Sequence, residues 1–338
     1  MYRIALIGVT AMVAGTAAAS AQTLDDVMAR GELNCGVSTG LAGFSAPDAD
    51  GNWQGFDVDF CRAVAAAIFG DGDAVNFTPL SPERRFDPLG SGEIDVLSRN
   101  TTWTFTRDID LGFRFVGTNY YDGQGFIVPA DLGVESALEL DGATVCIQTG
   151  TTTELNLADF FAANDMDYEP NPVETNAEAQ EQYLAGSCDT YTTDRSGLAA
   201  TRASFENPDD HIVLPETISK EPLGPVVRDG DDDWAGVVQW TLFALITAEE
   251  LGVTSENVEQ IAEEGSEVPE TERLLGLSGD FGELLGLEND WAVNAIAAVG
   301  NYGEIFDRNI GVDTPIGIER GQNAQYYDGG ILYSPPFR

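Results

Sequence analysis

Gly92-Glu93-Ile94-Asp95-Val96-Leu97-Ser98 runs without a break into Arg99-Asn100-Thr101-Thr102-Trp103-Thr104-Phe105-Thr106-Arg107. The apolar part, residues 94–98, reads as a short buried strand opened by a Gly-x-x-Asp turn. Residues 99–107 then form a loop of hydroxyls and an amide that ends in a guanidinium, Arg107. The same logic recurs at Gly186-Ser187-Cys188-Asp189, where a strand predicted over 188–192 runs into Thr192-Thr193-Asp194. Around these two strands, strand-like and helical patterns alternate. Leu33, Cys35 and Val37 alternate with polar residues or Gly. Val58, Cys61, Val64, Ala65 and Ile68 share one helical face over 57–69. Residues 75–78 read as strand and 82–89 as a short helix. In the second half, 143–148 reads as strand, 152–163 and 174–184 as helices. This alternation predicts an α/β protein with parallel sheets covered by helices on both faces. Ligands of such sheets bind beyond the carboxyl ends of strands, where both polar loops lie.

Two extended stretches bearing Gly and Pro, residues 120–125 and 219–225, bracket about one compact lobe of chain. The helix predicted over 232–251, and everything after it, would return to the first lobe. The expected organisation is therefore residues 22–121 as the first part of lobe 1, 122–222 as lobe 2, and 223–338 as the return to lobe 1 with a C-terminal extension. Two crossings between lobes make a hinge. The acidic region 254–272 reads as surface helix and loop, and the Tyr- and Pro-rich tail, 322–338, as a strap.

Residues 1–21 read as a cleaved signal peptide: Arg3, an apolar run too short to span a membrane, and Ala19-Ser20-Ala21 before Gln22. That implies export, hence a periplasmic protein, and an oxidising compartment for Cys35, Cys61, Cys146 and Cys188. Four cysteines allow three pairings. Cys35–Cys61 with Cys146–Cys188 is the pairing that keeps each bridge inside one lobe. The spacings do not resemble a zinc site. The formal net charge is −41, and Lys220 is the only lysine. Such a surface repels nucleic acid and anionic lipid. It suits salty surroundings that screen its self-repulsion.

Three loops carry the chemistry of a small-molecule site. Arg107 can grip a carboxylate with two charge-assisted hydrogen bonds, and Thr102 adds a hydroxyl and an N–H. Thr149-Gly150-Thr151-Thr152 opens a helix whose free N–H groups favour an anion, although Thr151 with Glu154 is also ordinary capping. Asp194, at the end of a strand, can receive an ammonium, although a surface acid is the bland reading. Carboxylate grips plus an ammonium acceptor describe a site for an α-amino acid.

On residues 36–44, 55–64, 97–103, 148–157, 191–194 and 301–306, the chain resembles the periplasmic solute-binding proteins of polar-amino-acid ABC importers, and among them the general L-amino-acid-binding type. The resemblance implies a two-lobed periplasmic-binding-protein fold, each lobe a mostly parallel sheet, joined by a two-strand hinge. It implies that Arg107, Thr102 and the N–H of Thr152 hold the ligand carboxylate, and that Asp194 and the carbonyl of Asn100 hold the ammonium. Phe56 would pack beside the ligand side chain, with Ser38, Leu41 and Gln148 lining its far end. Narrower relatives carry an Asp and an aromatic at positions 38 and 41. Ser38 and Leu41 leave that end without a fixed charge, which suggests broad specificity. No cofactor, metal or enzymatic activity is implied; the partners are L-amino acids and the permease subunits of an ABC importer, and the chain is expected to be monomeric.

Competing readings are weaker. Gly36-Val37-Ser38-Thr39-Gly40 matches the G-x-S-x-G pattern of hydrolases, yet no helix follows it until about Asp57, and His211 sits in an acidic loop. Asp48-Ala49-Asp50-Gly51-Asn52 lacks the spacing of a calcium loop. Asn100-Thr101-Thr102 is a glycosylation sequon by letter only. A dehydratase on the same scaffold would need a general acid or base beyond Asp194, and a signalling module remains the other alternative.

Overall fold

The computed structural model describes residues 22–338, so the proposed signal peptide lies outside the described residues. Two five-stranded sheets form the frame. In the first, β1 (Leu33–Ser38) pairs in parallel with β2 (Val75–Leu80) and β3 (Val96–Leu97). In the second, β7 (Ala143–Gln148) pairs in parallel with β8 (Tyr168–Val173) and β9 (Thr190–Asp194). Each sheet gains one antiparallel strand beside that trio. In the first it is β12 (Val226–Arg228), followed by the outer strand β4 (Phe113–Phe115); in the second it is β6 (Gln124–Pro129), followed by β10 (His211–Val213). Four of five strands thus run the same way in each sheet. The reversed strand in each is the one that follows a crossing between sheets. Those crossings are β5 (Tyr120–Asp122) and β11 (Glu221–Leu223), which pair antiparallel as a two-strand hinge.

Helices, beginning with α1 (Thr23–Arg30) and including the short α3 (Phe86–Ser91), cover both faces because strand residues alternate in direction. On β6, Phe126 and Val128 pack with Leu157 and Phe161 of α4 (Thr152–Ala163). Ile127 faces the other way and joins Tyr183 and Leu198, from α5 (Asn176–Leu184) and α6 (Arg195–Ala203). On the first sheet, Leu97, Phe115 and Val226 form one small cluster. Val37, Val96 and Val227 join the main core beneath α2 (Phe56–Phe69) and α7 (Asp232–Glu250). Cys35 is bridged to Cys61, and Cys146 to Cys188, with Cα atoms 6.3 and 5.6 Å apart. The tail lies over lobe 1: Phe337 packs edge-on against Trp240, and Gln325 donates to the carbonyl of Ile246. Among the described residues, no helix is long and apolar enough to cross a membrane.

Candidate ligand-binding cleft

β3 and β9 point their carboxyl ends at the same cleft from opposite lobes. On the lobe 1 side the chain turns at Asn100, which adopts φ 40°, a left-handed conformation that Asn tolerates better than most residues. Asp57, in the first turn of α2, pins that turn. Its carboxylate accepts from the Ser98 hydroxyl and from the Asn100 N–H, both at 3.1 Å. Burial pushes its carboxyl up to about 6, against the pull of those hydrogen bonds and of Arg99. Arg107 lies on one wide helical turn, Thr106–Asp110. Its Nη1 donates to the carbonyl of Thr102 at 2.9 Å, and its guanidinium lies over the Phe86 ring. Burial pushes Arg107 down to about 10, opposed by the charges of Glu221 and Asp194.

On the lobe 2 side, Thr151 caps α4 by accepting from the Glu154 N–H, and Glu154 reaches back to accept from the Gly150 N–H. The ordinary capping reading of this loop is therefore realised. Thr152 still stands in the first turn, where N–H groups lack a helical acceptor. Asp194 closes β9 and α6 begins at the next residue. Asp194 is buried, and the one hydrogen bond its carboxylate makes among the described residues is a long one, 3.4 Å from the Asn100 amide. Burial, then the neighbouring carboxylates of Asp122 and Glu221, push it well above the usual carboxylate range.

The two sides are shut on one another. The hydroxyls of Thr102 and Thr152 are 3.2 Å apart, and both donate to Glu221 of the hinge, at 2.5 and 2.9 Å. The same carboxylate accepts from Asn156 and Ser219, each at 2.7 Å. Arg85 reaches across to the carbonyl of Gly150 at 3.4 Å. Between the lobes remain two small cavities of about 20 Å³ each. One is bordered by Arg85, Asn100, Thr102, Thr152 and Asp194. The other lies against Ser38, Leu41, Asn176 and Gly197. Arg99, Asn100 and Gln148 border both. A far larger concavity, about 690 Å³, lies along the hinge between α6 and residues 315–323. It brings together none of the three loops marked by the sequence, so the small interlobe cavities are the better candidate.

The structure thus gathers Asn100, Thr102, Thr152, Asp194, Ser38, Leu41 and Gln148 into one cleft, while Arg107 borders neither cavity and stands behind Thr102, to whose carbonyl it donates. Phe56 is a correction. As the first residue of α2 it turns into the core, edge-on to Phe44, Tyr120, Tyr302 and Phe306, and borders neither cavity. The side-chain end also carries a charge that the sequence reading left out, because Arg99 lies with Ser38 and Leu41. Arg85, Asp57, Asn176 and Glu221 were missed as well. The Arg84-Arg85 doublet in a chain with few cations, and the charge at position 99 inside the polar loop, were the available signals. Asn176 is set by Tyr191, whose hydroxyl donates to it at 3.0 Å and lies 3.1 Å from Gln148.

Residues 33–257 match the model of the bacterial extracellular solute-binding proteins, family 3, and the chain belongs to that family. It is 58% identical over 332 residues to the glutamate/glutamine/aspartate/asparagine-binding protein BztA of Rhodobacter capsulatus, covering 98% of this chain and 97% of the relative. It is 57% identical to the general L-amino acid-binding periplasmic protein AapJ of Rhizobium johnstonii, over 99% and 98% of the two chains. A periplasmic binding protein from Brucella ovis, solved with glutathione bound, superposes with a TM-score of 0.91 at 56% identity, over 94% of this chain and 99% of that one. These relatives are named as binding proteins, not as enzymes.

Proposed function

We propose that the chain is the periplasmic substrate-binding component of an ABC importer, that it binds L-amino acids with broad specificity, and that it delivers them to the membrane permease. The observation that carries this reading is the pairing of opposite charges on loops from opposite lobes: guanidiniums beside Thr102 on lobe 1, and the buried carboxylate of Asp194 on lobe 2. In this reading Arg107, Thr102 and the Thr152 N–H take the α-carboxylate, while Asp194 and Asn100 take the ammonium. Ser38, Leu41 and Gln148 border the side chain. A ligand gripped from both sides favours the closed arrangement, because only differential affinity shifts such an equilibrium. The closed form is then what docks on the permease. The names of the relatives support amino acids as the ligand class, and those of AapJ and of the Brucella ovis protein support a periplasmic location.

A thermal-shift screen over the common L-amino acids and their D-enantiomers tests the ligand class, since binding to the native state alone raises the midpoint. Calorimetry on Arg107→Ala tests the grip. Binding should weaken by about 3–5 kcal/mol for every amino acid alike, because all share the carboxylate that loses its partner. Near-normal affinity in that variant would remove Arg107 from the site.

A further inference from the structure

We propose that Arg85 and Arg99 form a second anion subsite beside the amino-acid grip, and that it takes the side-chain carboxylate of an acidic L-amino acid, making aspartate and glutamate the preferred ligands. This rests on the amino-acid reading of the cleft and assigns the part of it that reading leaves open.

Both arginines are nearly inaccessible, at 3% and 4% exposure. The Nε of each is buried without a hydrogen-bond partner. Among the described residues, no carboxylate lies within ion-pair distance of either guanidinium, although six other ion pairs form in the molecule. Among the described residues, the one hydrogen bond either guanidinium makes is the 3.4 Å contact from Arg85 to Gly150. Buried guanidiniums without an anion are costly, and proteins place them where an anion arrives. The nearby acids have other work. Asp57 is engaged by Ser98 and Asn100, and Asp194 is the ammonium acceptor.

Position selects which anion. Arg85 borders the cavity beside Asp194 and Thr152, and Arg99 borders both that cavity and the one under Ser38 and Leu41. A side chain leaving an α-carbon held near Asp194 therefore passes Arg99 on its way to Leu41. The charge balance points the same way. Arg85 is pulled down by burial and by the guanidiniums of Arg107 and Arg99, while burial pushes Arg99 down to about 10, so Arg99 is a cation at neutral pH. One α-carboxylate answers one of the three guanidiniums, and a dicarboxylate answers a second. An amide can offer the same oxygen without the charge. A basic side chain brings a like charge to the same spot. The expected order is acidic, then amide, then neutral, then basic.

The test needs no variant for its first arm. Calorimetry on the full chain should show L-glutamate binding at least tenfold tighter than L-glutamine or the γ-methyl ester of L-glutamate, which keep the shape and remove the charge. In the second arm, Arg99→Met and Arg85→Met should each weaken L-glutamate by 10- to 100-fold and at least tenfold more than they weaken L-glutamine, whose amide loses a neutral hydrogen bond and no ion pair, while L-arginine holds or improves. Glutamine binding as tightly as glutamate in the native protein overturns the proposal. So does an equal loss for all three ligands in the variants, which would mark a general packing role. A native protein that binds no amino acid defeats the underlying reading instead, and this one with it.

Discussion

Replacing Asp194 with asparagine should make the protein more stable and worse at its work. The carboxylate is buried, has one long hydrogen bond, and faces two further carboxylates, Asp122 and Glu221, with Arg85 as partial compensation. Asparagine keeps the shape and removes the charge. A buried charge with imperfect partners costs several kcal/mol, of which Arg85 returns part, so the gain should be about 1–2 kcal/mol at neutral pH. In a chain of this size that is a rise of roughly 2–4 °C in Tm. The sign with pH is determined. The folded carboxyl is held above its unfolded value, so its cost is absent below pH about 4 and grows as pH rises through the folded value. The advantage of Asp194→Asn should therefore be full in alkaline buffer and vanish on acidification. Binding should move oppositely, weakening by about 3 kcal/mol or more, over 100-fold, for every amino acid. In the native protein the ligand ammonium favours the ionised form of Asp194, so wherever the raised carboxyl still holds its proton, binding releases that proton and tightens as pH rises. Scanning calorimetry from pH 4 to 9, and titrations in buffers of different ionisation enthalpy, measure both. A variant less stable than the parent at pH 8, or one that binds normally, would refute the reasoning.

Gly150 holds φ 72°, and a Cβ there would stand 2.9 Å from the Cα of Glu83 across the cleft, so Gly150→Ala should prop the lobes apart. Affinity should fall about tenfold for all ligands by calorimetry, a cost of about 1–2 kcal/mol for a displaced close contact. At Asn100, with φ 40°, glycine should be nearly neutral in thermal unfolding, whereas valine should cost about 2 kcal/mol or more. The −41 surface repels an anionic ligand, so its association rate in stopped flow should rise between 10 and 300 mM salt, and that of a cationic ligand should fall.

Much of the frame was legible because local chemistry and tertiary packing agree. The predicted strand over 143–148 and helix over 152–163 match the observed elements, because a strand core ends at a Thr-Gly turn and a Thr-x-x-Glu cap begins the helix. β8 was not legible. Two of its six residues are prolines, Pro170 and Pro172, which read as loop. It is a sheet edge paired only with β7, a place where missing N–H donors are tolerated. α6 was missed because it starts directly after Asp194 and buries mostly small residues, Ser196, Gly197, Ala200 and Thr201, with Leu198 its one large apolar side chain. Within the cleft, Asn100, Thr102, Thr152 and Asp194, whose motifs stand out in the sequence, border one cavity. Arg85 and Arg99 were not legible as partners, since residues 85, 99 and 194 converge only when two sheets face each other. Phe56 failed for a related reason: the resemblance placed it by position, and position did not tell which way the first turn of α2 points its ring.

The cleft is a set of opposite defects carried on two lobes that the hinge joins. Lobe 1 brings guanidiniums that its own carboxylates leave unpaired, and lobe 2 brings a carboxylate crowded by others of its kind. Each defect is costly in a site this enclosed and tolerable when hydrated, so the cost rises as the lobes approach. A zwitterion corrects both at once, and only when both lobes reach it. The free energy for closure then comes from relieving charge rather than from burying apolar surface, consistent with cavity walls made of Arg, Thr, Asn, Gln and Asp. Affinity and closure should therefore rank ligands identically: a neutral amino acid relieves two charges, and an acidic one relieves three. The same arrangement favours release. Once the permease draws the ligand away, the charges lose their partners, and opening the cleft returns them to water.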